Sequence, residues 1–580
     1  MAFVSPERKA YGLSILFTVF FVLLGVYLFR LQILDGKIYR NLSEKNRVRV
    51  IYLEAPRGRI LDRSGDVLAT SRLSFNCSAF PFESKANIYQ TLQTLSILLS
   101  EDVETLQKRY ARGKPGIYNT IVLAQDIPAE QAVAIEERLD SLPGILIETR
   151  PVREYPHKES AAHLSGYIGP MTDEEEENLE DTDYLPSDWI GRDGVEKFYE
   201  SSLHGRAGGL QMEVNSRGRF VRALGVKEPD DGKDVQLTVD ARLQEFVQKE
   251  IGTQIGSVIV MDLKDGGILA MNSAPSFDPN LFASVAGRRN LSPVLTDPAA
   301  PLLNRGIRSQ YPAGSIFKIV TALAALTSSR LTEFSTFNCN GAMIIGGNTF
   351  HCWRDGGHGS QGMAEAFAHS CDVYFYSAGL LAGVDAIDRV AVEFGFSHTT
   401  GVDLPYERPG LLPSKEWKRK KLNAGWYEGD TANLSIGQGA LQITPMQALQ
   451  MIAATAKNGL RTKPHVVDKI DGVKVPEENL PPVNKSAKQW KSVKQGLHDV
   501  VNTDTGTGRL SRVMGLSIAG KTGTAQSGQD KNHAWFVGYS PEKDPKIAMV
   551  VFLEQGGHGG IEAAGLASKI FKQLKELSYL

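Results

Sequence analysis

The longest uninterrupted apolar stretch of the chain lies close to its first residue. The segment Ala10–Phe29 contains no charged side chain, and Arg8, Lys9 and Arg30 flank it. As a helix with about 1.5 Å of rise per residue it spans about 30 Å, the thickness of the hydrocarbon core of a bilayer. Because no pattern of small residues marks a cleavage site after it, the stretch predicts an uncleaved transmembrane helix. A buried core helix is the alternative.

Regular strand and helix patterns begin after residues 231–234, where the sequence Asp-Gly-Lys-Asp interrupts the preceding pattern. Val235–Val239 alternates apolar and polar side chains and predicts a strand, and Ala241–Ile251 predicts a helix. The apolar segments Ser257–Leu263 and Ile268–Met271 predict a hairpin. This order of elements predicts an α+β domain built on an antiparallel sheet, with its boundary near residue 231.

The region between the apolar stretch and that boundary has a less regular pattern. Val48–Leu53 and Val67–Ala69 predict short strands, and residues 85–150 predict helices with short links. Residues 151–230 are rich in glycine and predict a broken, turn-rich segment.

Composition narrows the classes of protein that fit. The 580 residues are 42% hydrophobic and 22% charged, which suits several globular domains. The net charge of -2 argues against a nucleic-acid-binding protein. Four cysteines are too few for a disulfide scaffold, and a single apolar stretch excludes a multi-span membrane protein.

A candidate nucleophile lies in the segment Ser315-Ile316-Phe317-Lys318. The preceding residues, Tyr-Pro-Ala-Gly, suit a loop that enters a helix, and the apolar residues 319–326 predict that helix. Residues i and i+3 share a helix face, so Lys318 is expected to lie over Ser315. A neutral lysine can take the proton that makes a serine hydroxyl a nucleophile.

Two further short motifs follow along the chain: Ser370-Cys371-Asp372 and Lys521-Thr522-Gly523-Thr524. Gly523 allows a substrate backbone to approach closely, and Lys521 supplies positive charge for a substrate carboxylate. Each motif alone is common, and a plain strand end explains Lys-Thr-Gly by itself. In this order, however, S-x-x-K, S-x-D and K-T-G resemble the active-serine set of β-lactamases and penicillin-binding proteins.

The wider sequence resembles the class B penicillin-binding proteins, and within them the elongation branch known as penicillin-binding protein 2. The resemblance covers nearly the whole chain. It rests on segments similar to the two pedestal motifs of the family and to its approach to the active serine: Arg57-Gly58-Arg59-Ile60, Asp62-Arg63-Ser64-Gly65, Gly191-Arg192-Asp193-Gly194-Val195-Glu196, Asn304-Arg305 and Tyr311-Pro312-Ala313-Gly314-Ser315. Asp372, where most of the family has Asn, favours the elongation branch over the septal division branch, which is the alternative.

The resemblance implies an architecture and a location. Residues 1–9 would be a cytoplasmic tail, 10–29 a transmembrane helix, 30–230 an elongated pedestal domain, and 231–580 a transpeptidase domain with an antiparallel sheet and helices. The protein would cross the inner membrane once and place its catalytic domain on the periplasmic side.

The resemblance also implies a reaction. Ser315 would attack the D-Ala–D-Ala bond of a peptidoglycan stem peptide, and an amine of a second stem peptide would resolve the acyl-enzyme into a cross-link. Lys318 would be the base, Ser370 would pass protons, and Asp372 would hold the network. Lys521, Thr522, Gly523 and Thr524 would bind the terminal carboxylate. No cofactor is needed for this acyl transfer.

Partners follow from the same resemblance. β-Lactams would acylate Ser315, and a polytopic membrane glycosyltransferase of the elongation machinery would polymerise the glycan, because no part of the sequence resembles such a domain. A membrane-bound penicillin sensor or β-lactamase shares the three motifs and is one alternative. A scaffold with a vestigial catalytic site is another.

Three of the four cysteines and a histidine lie in one short stretch: Cys339, Cys352, His358 and Cys371. Three thiolates and one imidazole form a closed tetrahedral zinc set, so the stretch predicts a structural zinc site. His351 and His369 are alternative nitrogen ligands. A Cys339–Cys352 disulfide and free thiols are the other interpretations.

Overall fold

A computed structural model of the protein describes residues 6–37, 39, 48–79, 88–112, 120–177, 184, 188–214, 220–328, 330–528 and 530–580. The chain divides into two compact units. The first consists of Met1–Ala55, Phe75–Arg150 and Arg206–Asp230, and the second of Pro56–Ser74, Pro151–Gly205 and Asp231–Leu580. The glycine-rich region upstream of residue 231 therefore contributes to both units.

The predicted N-terminal helix is confirmed. It runs from Pro6 to Phe29 and continues as a π-helical turn over Arg30–Leu34. The part from Ala10 to Leu34 is long and apolar enough to cross a membrane, and its side chains are exposed. An exposed apolar helix of this length is stable only when a lipid phase or another protein covers it.

The rest of the first unit has a small core of its own, formed around Leu92, Leu95 and Leu123. Its helices are Ile88–Leu99, Val103–Arg112 and Ala129–Glu136, with a 3₁₀ turn at Leu139–Ser141. Its strands are Val48–Leu53, Gly208–Val214, Phe220–Lys227 and Ile121–Ile127. Two more strands, Val67–Ala79 and Ile145–Glu154, lie where the unit boundaries fall.

The prediction of helices alone for residues 85–150 was wrong. Ile121–Ile127 is a strand that pairs antiparallel with the Phe75–Ala79 part of its neighbour, and Ile145–Glu154 is also a strand. Short apolar runs such as these fit a buried strand and a buried helix equally well by periodicity. Long-range pairing decides between them.

A five-stranded antiparallel sheet forms the centre of the second unit. Its strand order is Ile268–Ala274, Gly256–Asp262, Ile547–Leu553, His533–Ser540 and Ala519–Ala525. The predicted hairpin is confirmed as the first two of these strands. Every residue of Ile547–Leu553 is buried, so both faces of the sheet are covered. Ala241–Ile251, Glu562–Glu576 and Pro445–Ala456 are among the helices that pack on it.

The shorter strands of the second unit belong to other sheets: Ile60–Leu61, Ile168–Pro170, Trp189–Gly191, Val235–Leu237, Phe337–Cys339, Ala342–Ile345, Asn348–His351, Gly359–Gln361, Arg461–Thr462, Val467–Ile470, Val473–Lys474 and Asn479–Leu480. Its other α-helices are Ala162–Ser165, Asp173–Glu177, Gly194–Phe198, Glu200–Leu203, Val285–Arg288, Ser292–Thr296, Lys318–Thr327, Met363–Ala368, Asp372–Ala382, Val384–Phe394, Lys415–Leu422, Glu428–Ser435 and Ala487–Asn502. Its 3₁₀ turns are Lys158–Ser160, Pro279–Leu281, Gly314–Phe317 and Arg509–Ser511.

Helix Lys318–Thr327 fixes the first predicted motif in the core. Its residues from Lys318 to Ala325 are all buried, and it packs against helices Asp372–Ala382 and Val384–Phe394. Strand Ala519–Ala525 is the edge of the sheet and packs on the Gly314–Phe317 turn. The three predicted motifs are therefore neighbours at one edge of the sheet.

Candidate active site

Ser315 lies in the 3₁₀ turn Gly314–Phe317, one turn before the helix that begins at Lys318. The turn is tight: Gly314 has a φ of +56°, and a Cβ there would lie 2.8 Å from the Thr524 carbonyl oxygen. Within the described chain the Ser315 hydroxyl has no hydrogen-bond partner, and the residue is partly exposed. The hydroxyl is therefore not engaged by another group of the described chain.

Lys318 is completely buried and has three oxygen partners. Its Nζ donates to Asp372 Oδ1 at 2.7 Å, to the Ser370 carbonyl oxygen at 2.9 Å and to Ser370 Oγ at 3.2 Å. Ser370 has a φ of +51°, an unusual backbone conformation for a residue with a side chain. That conformation turns both its carbonyl and its hydroxyl towards the lysine.

Lys521 approaches Ser370 from the opposite side. Its fully buried Nζ donates to Ser370 Oγ at 2.9 Å and to the Thr522 carbonyl oxygen at 2.9 Å. Burial, followed by the positive charge of Lys318, lowers the pKa of Lys521 well below its usual value. One hydroxyl thus lies between two buried amines, which is a continuous path for a proton.

The remaining residues of the third motif form the cleft wall next to Ser315. Thr522 Oγ1 donates to Thr507 Oγ1 at 2.9 Å, and Thr524 Oγ1 accepts from the backbone N–H of Gly559 at 3.3 Å. A Cβ on Gly523 would lie 3.1 Å from the Ile316 side chain, a tight contact, so glycine favours the close approach of the edge strand to the serine turn.

The structure also brings the four predicted metal ligands together. One ligand atom from each of Cys339, Cys352, His358 and Cys371 lies within 4.8 Å of all the others. Nδ1 of His358 is 3.5 Å from Cys352 Sγ and 3.7 Å from Cys339 Sγ. Tetrahedral zinc with bonds of about 2.3 Å to sulfur and about 2.0 Å to nitrogen separates such ligands by about 3.5 Å. The donor set suits this metal, and the two His358–sulfur distances match the expected separation.

The structure also bears on the other interpretations of this cluster, which are a disulfide, free thiols, and His351 or His369 as the nitrogen ligand. All four cysteines of the chain are free thiols, and a hydrogen bond from Cys371 lowers the pKa of Cys352, which favours one thiolate. His369 uses both ring nitrogens elsewhere, with Gln361 Oε1 at 2.7 Å and Thr505 Oγ1 at 3.0 Å. His351 is exposed.

Sequence reasoning missed three residues at the site: Trp353, Thr507 and Gln438. The Trp353 backbone N–H donates to Asp372 Oδ2 at 3.1 Å, and its indole Nε1–H donates to the His369 carbonyl oxygen at 2.9 Å. Gln438 Nε2 lies 3.5 Å from the Thr524 carbonyl oxygen. The Thr-Gly-Thr-Gly run of residues 505–508 was the one available signal for Thr507, since such runs rarely form regular elements.

The sequence matches known protein families whose chemistry agrees with this arrangement of residues. Residues 256–575 match the penicillin binding protein transpeptidase domain, and residues 52–237 match the penicillin-binding protein dimerisation domain. The peptidoglycan D,D-transpeptidase MrdA of Haemophilus influenzae is 33% identical over 573 residues, which cover 94% of this chain and 88% of the relative. MrdA of Escherichia coli K12 is 31% identical over 562 residues, covering 92% and 88%.

Solved structures lead to the same group. The penicillin-binding protein PBP2 of Helicobacter pylori, in a complex with MreC, has a TM-score of 0.83 at 29% identity and covers 92% of this chain and 99% of its own. PBP2 of Pseudomonas aeruginosa, in complex with WCK 5153, has a TM-score of 0.69 at 30% identity, with 90% and 96% coverage. The chain therefore belongs to the penicillin-binding proteins, in the branch of PBP2 and the MrdA peptidoglycan D,D-transpeptidases.

Proposed function

We propose that Ser315 is the nucleophile of this transpeptidase and that its substrates are peptidoglycan stem peptides ending in D-Ala–D-Ala. The observation that carries the proposal is the position of the Ser370 hydroxyl between the buried amines of Lys318 and Lys521. A buried polar network of this kind costs stability unless every group is satisfied, and such sites mark acid–base chemistry. The accessible hydroxyl in the same cleft belongs to Ser315.

The reaction then has two balanced steps. Ser315 Oγ bonds to the penultimate D-Ala carbonyl carbon, the peptide C–N bond breaks, and the proton from Oγ reaches the leaving D-alanine amine through Lys318 and Ser370. An amine of a second stem peptide attacks the ester, the C–O bond breaks, and Ser315 recovers a proton. Asp372 Oδ1 holds the Lys318 amine against Ser370 throughout.

The cleft wall supplies binding groups for both steps. Lys521 with the hydroxyls of Thr522 and Thr524 would bind the terminal carboxylate, and Gly523 leaves room for the peptide beside the strand. The backbone N–H groups of Ser315 and Thr524 would stabilise the oxyanion. Removal of one such donor typically costs about 3–4 kcal/mol in the rate step.

Lys521→Arg is expected to slow acylation by penicillin about a hundredfold. The fully buried Lys521 amine contacts Ser370 Oγ and the Thr522 carbonyl oxygen, both at 2.9 Å, and a larger, planar guanidinium cannot keep both contacts. For the wild type, the acylation rate should fall as the pH rises through the lowered pKa of Lys521, because the amine loses there the charge that binds the carboxylate. Stopped-flow fluorescence with a labelled penicillin measures the acylation rate of the variant and the pH dependence of the wild-type rate. A variant with an unchanged rate and the same pH profile would contradict the role of Lys521.

We also propose a structural zinc ion held by Cys339, Cys352, His358 and Cys371. The ion would tie the strand ends at Cys339 and Cys352 to the start of the helix at Asp372, and so hold the Ser370-Cys371-Asp372 motif in place. The support is the donor chemistry and the spacing described above. No step of acyl transfer depends on it.

The zinc proposal predicts one zinc ion per chain in protein purified without chelators. Cys352→Ser should lose the metal and lower the thermal unfolding midpoint by roughly 10 °C or more, because structural zinc contributes folding free energy directly. Cys77→Ser is the matched control, since Cys77 is a buried cysteine of the first unit, and it should keep the metal. Metal emission spectrometry and calorimetry measure both. Metal-free protein with a Cys339–Cys352 disulfide would contradict the proposal.

The proposed location follows from the substrate. Because peptidoglycan lies outside the cytoplasmic membrane, residues 1–9 would remain cytoplasmic, the helix at 10–29 would cross once, and the catalytic domain would face the periplasm. Residues 30–230 would be the pedestal and 231–580 the transpeptidase domain. The exposed apolar helix supports the crossing.

Proposed partners come from the relatives. PBP2 of H. pylori was solved with MreC, and another relative belongs to a peptidoglycan synthase complex that coordinates polymerization and crosslinking. We propose that this chain likewise binds a MreC-type protein and a polytopic membrane glycosyltransferase. Cross-linking would then follow glycan polymerisation during cell elongation.

An assay with two peptides tests the proposed function against the β-lactamase and scaffold alternatives. The full-length protein receives a donor stem peptide ending in D-Ala–D-Ala and a labelled acceptor peptide. The proposal predicts D-alanine release together with a cross-linked product, and a stable penicillin adduct in a parallel sample. Rapid multiple-turnover hydrolysis of penicillin would favour a β-lactamase, and absence of all reaction would favour a scaffold.

A further inference from the structure

The segment from Asn304 to Gly314, which leads directly to Ser315, is held by residues from the upstream part of the second unit. His163 Nε2 lies 2.8 Å from the Pro301 carbonyl oxygen, and Asn304 Nδ2 donates to the His163 carbonyl oxygen. Further along the segment, the guanidinium of Arg308 forms an ion pair with the Asp193 carboxylate. The segment before Ser315 is therefore bound to residues 151–205 at two places, His163 and Asp193.

The Arg308 guanidinium depends on Asp193 for its charge pairing. Both side chains are less than one-fifth exposed, and Arg308 Nε is buried with no acceptor in the described chain. Arg308 also stacks on the Tyr406 ring, with 4.6 Å from its Cζ to the ring centroid, and Lys197 Nζ lies 5.3 Å from the same centroid. Tyr406 has a φ of +66°, so a strained backbone conformation presents this ring.

Asp193 is itself held rigidly. Its carboxylate accepts a hydrogen bond from the Gly194 N–H at 2.7 Å, and Asp193 thereby caps the N-terminus of the helix Gly194–Phe198. Gly194 packs against Gly166 so closely that a Cβ on Gly194 would lie 2.4 Å from the Gly166 nitrogen, and one on Gly166 would lie 1.8 Å from the Asp193 carbonyl oxygen. Neither glycine can be replaced without moving backbone.

The same short helix is attached at two further points. Glu196 is fully buried and pairs with Arg57 at 2.6 Å and with Arg153 at 2.7 Å. Tyr199, directly after the helix, donates its hydroxyl to Asp403 Oδ2 at 2.8 Å. The helix therefore behaves as a rigid element, and any shift of it reaches Arg308 through Asp193.

We propose that Asp193 and Arg308 are a positioning pair that couples the helix Gly194–Phe198 to the geometry of Ser315, through the segment Asn304–Gly314. The pair touches no substrate. It sets how often the serine turn occupies the reactive geometry, so that displacement of residues 151–205 changes the rate of acylation. The inference rests on the proposed role of Ser315 and extends it to the control of that residue.

Three variants of the full-length protein test the pair: Asp193→Asn, Arg308→Gln and the double variant. Each single variant leaves one buried charge without its partner and should slow acylation of Ser315 by a fluorescent penicillin about tenfold. The double variant removes both charges and keeps two groups that can hydrogen bond. It should recover most of the loss, because energies of contacting residues are not additive.

The control variant is Asp234→Asn. It removes a more exposed ion pair, to Arg59 at 2.6 Å, elsewhere in the second unit, and should acylate at the wild-type rate. Thermal midpoints of all variants are measured in the same buffer, and a loss of rate without a matching loss of midpoint supports the pair. Wild-type rates in both single variants, or a loss that follows the midpoint and persists in the double variant, would overturn it.

A fifth variant separates this proposal from the proposed function. Ser315→Ala should abolish labelling whether or not the Asp193–Arg308 pair controls the site. If Ser315→Ala is labelled as wild type, the proposed function fails. If Ser315→Ala is unlabelled but both single variants react at the wild-type rate, only the positioning pair fails.

Discussion

Lys318→Met is expected to slow acylation by penicillin about a thousandfold. The variant removes the amine that contacts Ser370 and Asp372 and that is proposed to accept the Ser315 proton. General acid–base catalysis is worth about 10²–10⁴ in rate. Methionine has a similar length and fits an apolar helix, so the core around residue 318 stays filled. Stopped-flow labelling at fixed pH measures the rate.

The effect of Lys318→Met on the acylation rate must be distinguished from its effect on the stability of the fold. Loss of Lys318 leaves the Asp372 carboxylate, which is 12% exposed, without its cation, and breaking a buried pair costs about 3–5 kcal/mol. The double variant Lys318→Met/Asp372→Asn removes that unpaired charge and should regain thermal stability without regaining acylation. Lys569→Met breaks a surface pair with Glu250 and serves as the control. If the double variant recovers the rate together with its stability, Lys318 acts only as a structural residue.

The order of the three motifs along the sequence was enough to predict which residues form the candidate site. It was not enough to predict how these residues are arranged. Residue types predicted that Ser315, Lys318, Ser370 and Lys521 act together, because acyl transfer needs a nucleophile, a base and a cation. The sequence could not show that Ser370 lies between both lysines, since that depends on a positive φ at Ser370 and on the edge position of strand Ala519–Ala525. Both are products of tertiary packing.

Elements with a strong local signal were predicted closely, and those that depend on distant pairing were not. The apolar helix and the hairpin beginning at Gly256 follow from periodicity alone. Strand Ile121–Ile127 was predicted as helix, because only its pairing with Phe75–Ala79 makes it a strand. Trp353 was missed for a similar reason: its contact with Asp372 joins two segments that the sequence separates.

Ser315→Ala is expected to abolish covalent labelling by penicillin and all cross-linking activity. The Ser315 hydroxyl oxygen is the atom proposed to form the ester, and neighbouring groups do not replace a deleted nucleophile. The substitution removes one atom from a partly exposed side chain, so the thermal midpoint should change little. Ser276→Ala, at another partly exposed serine of the second unit, is the control and should be labelled as wild type.

The most direct test of the account is the mass of the intact protein after incubation with penicillin, followed by peptide mapping of the adduct. If Ser315 is the nucleophile, one penicilloyl group per chain is expected on Ser315, and none is expected on the Ser315→Ala variant. An adduct on another residue, or equal labelling of the variant, would contradict it.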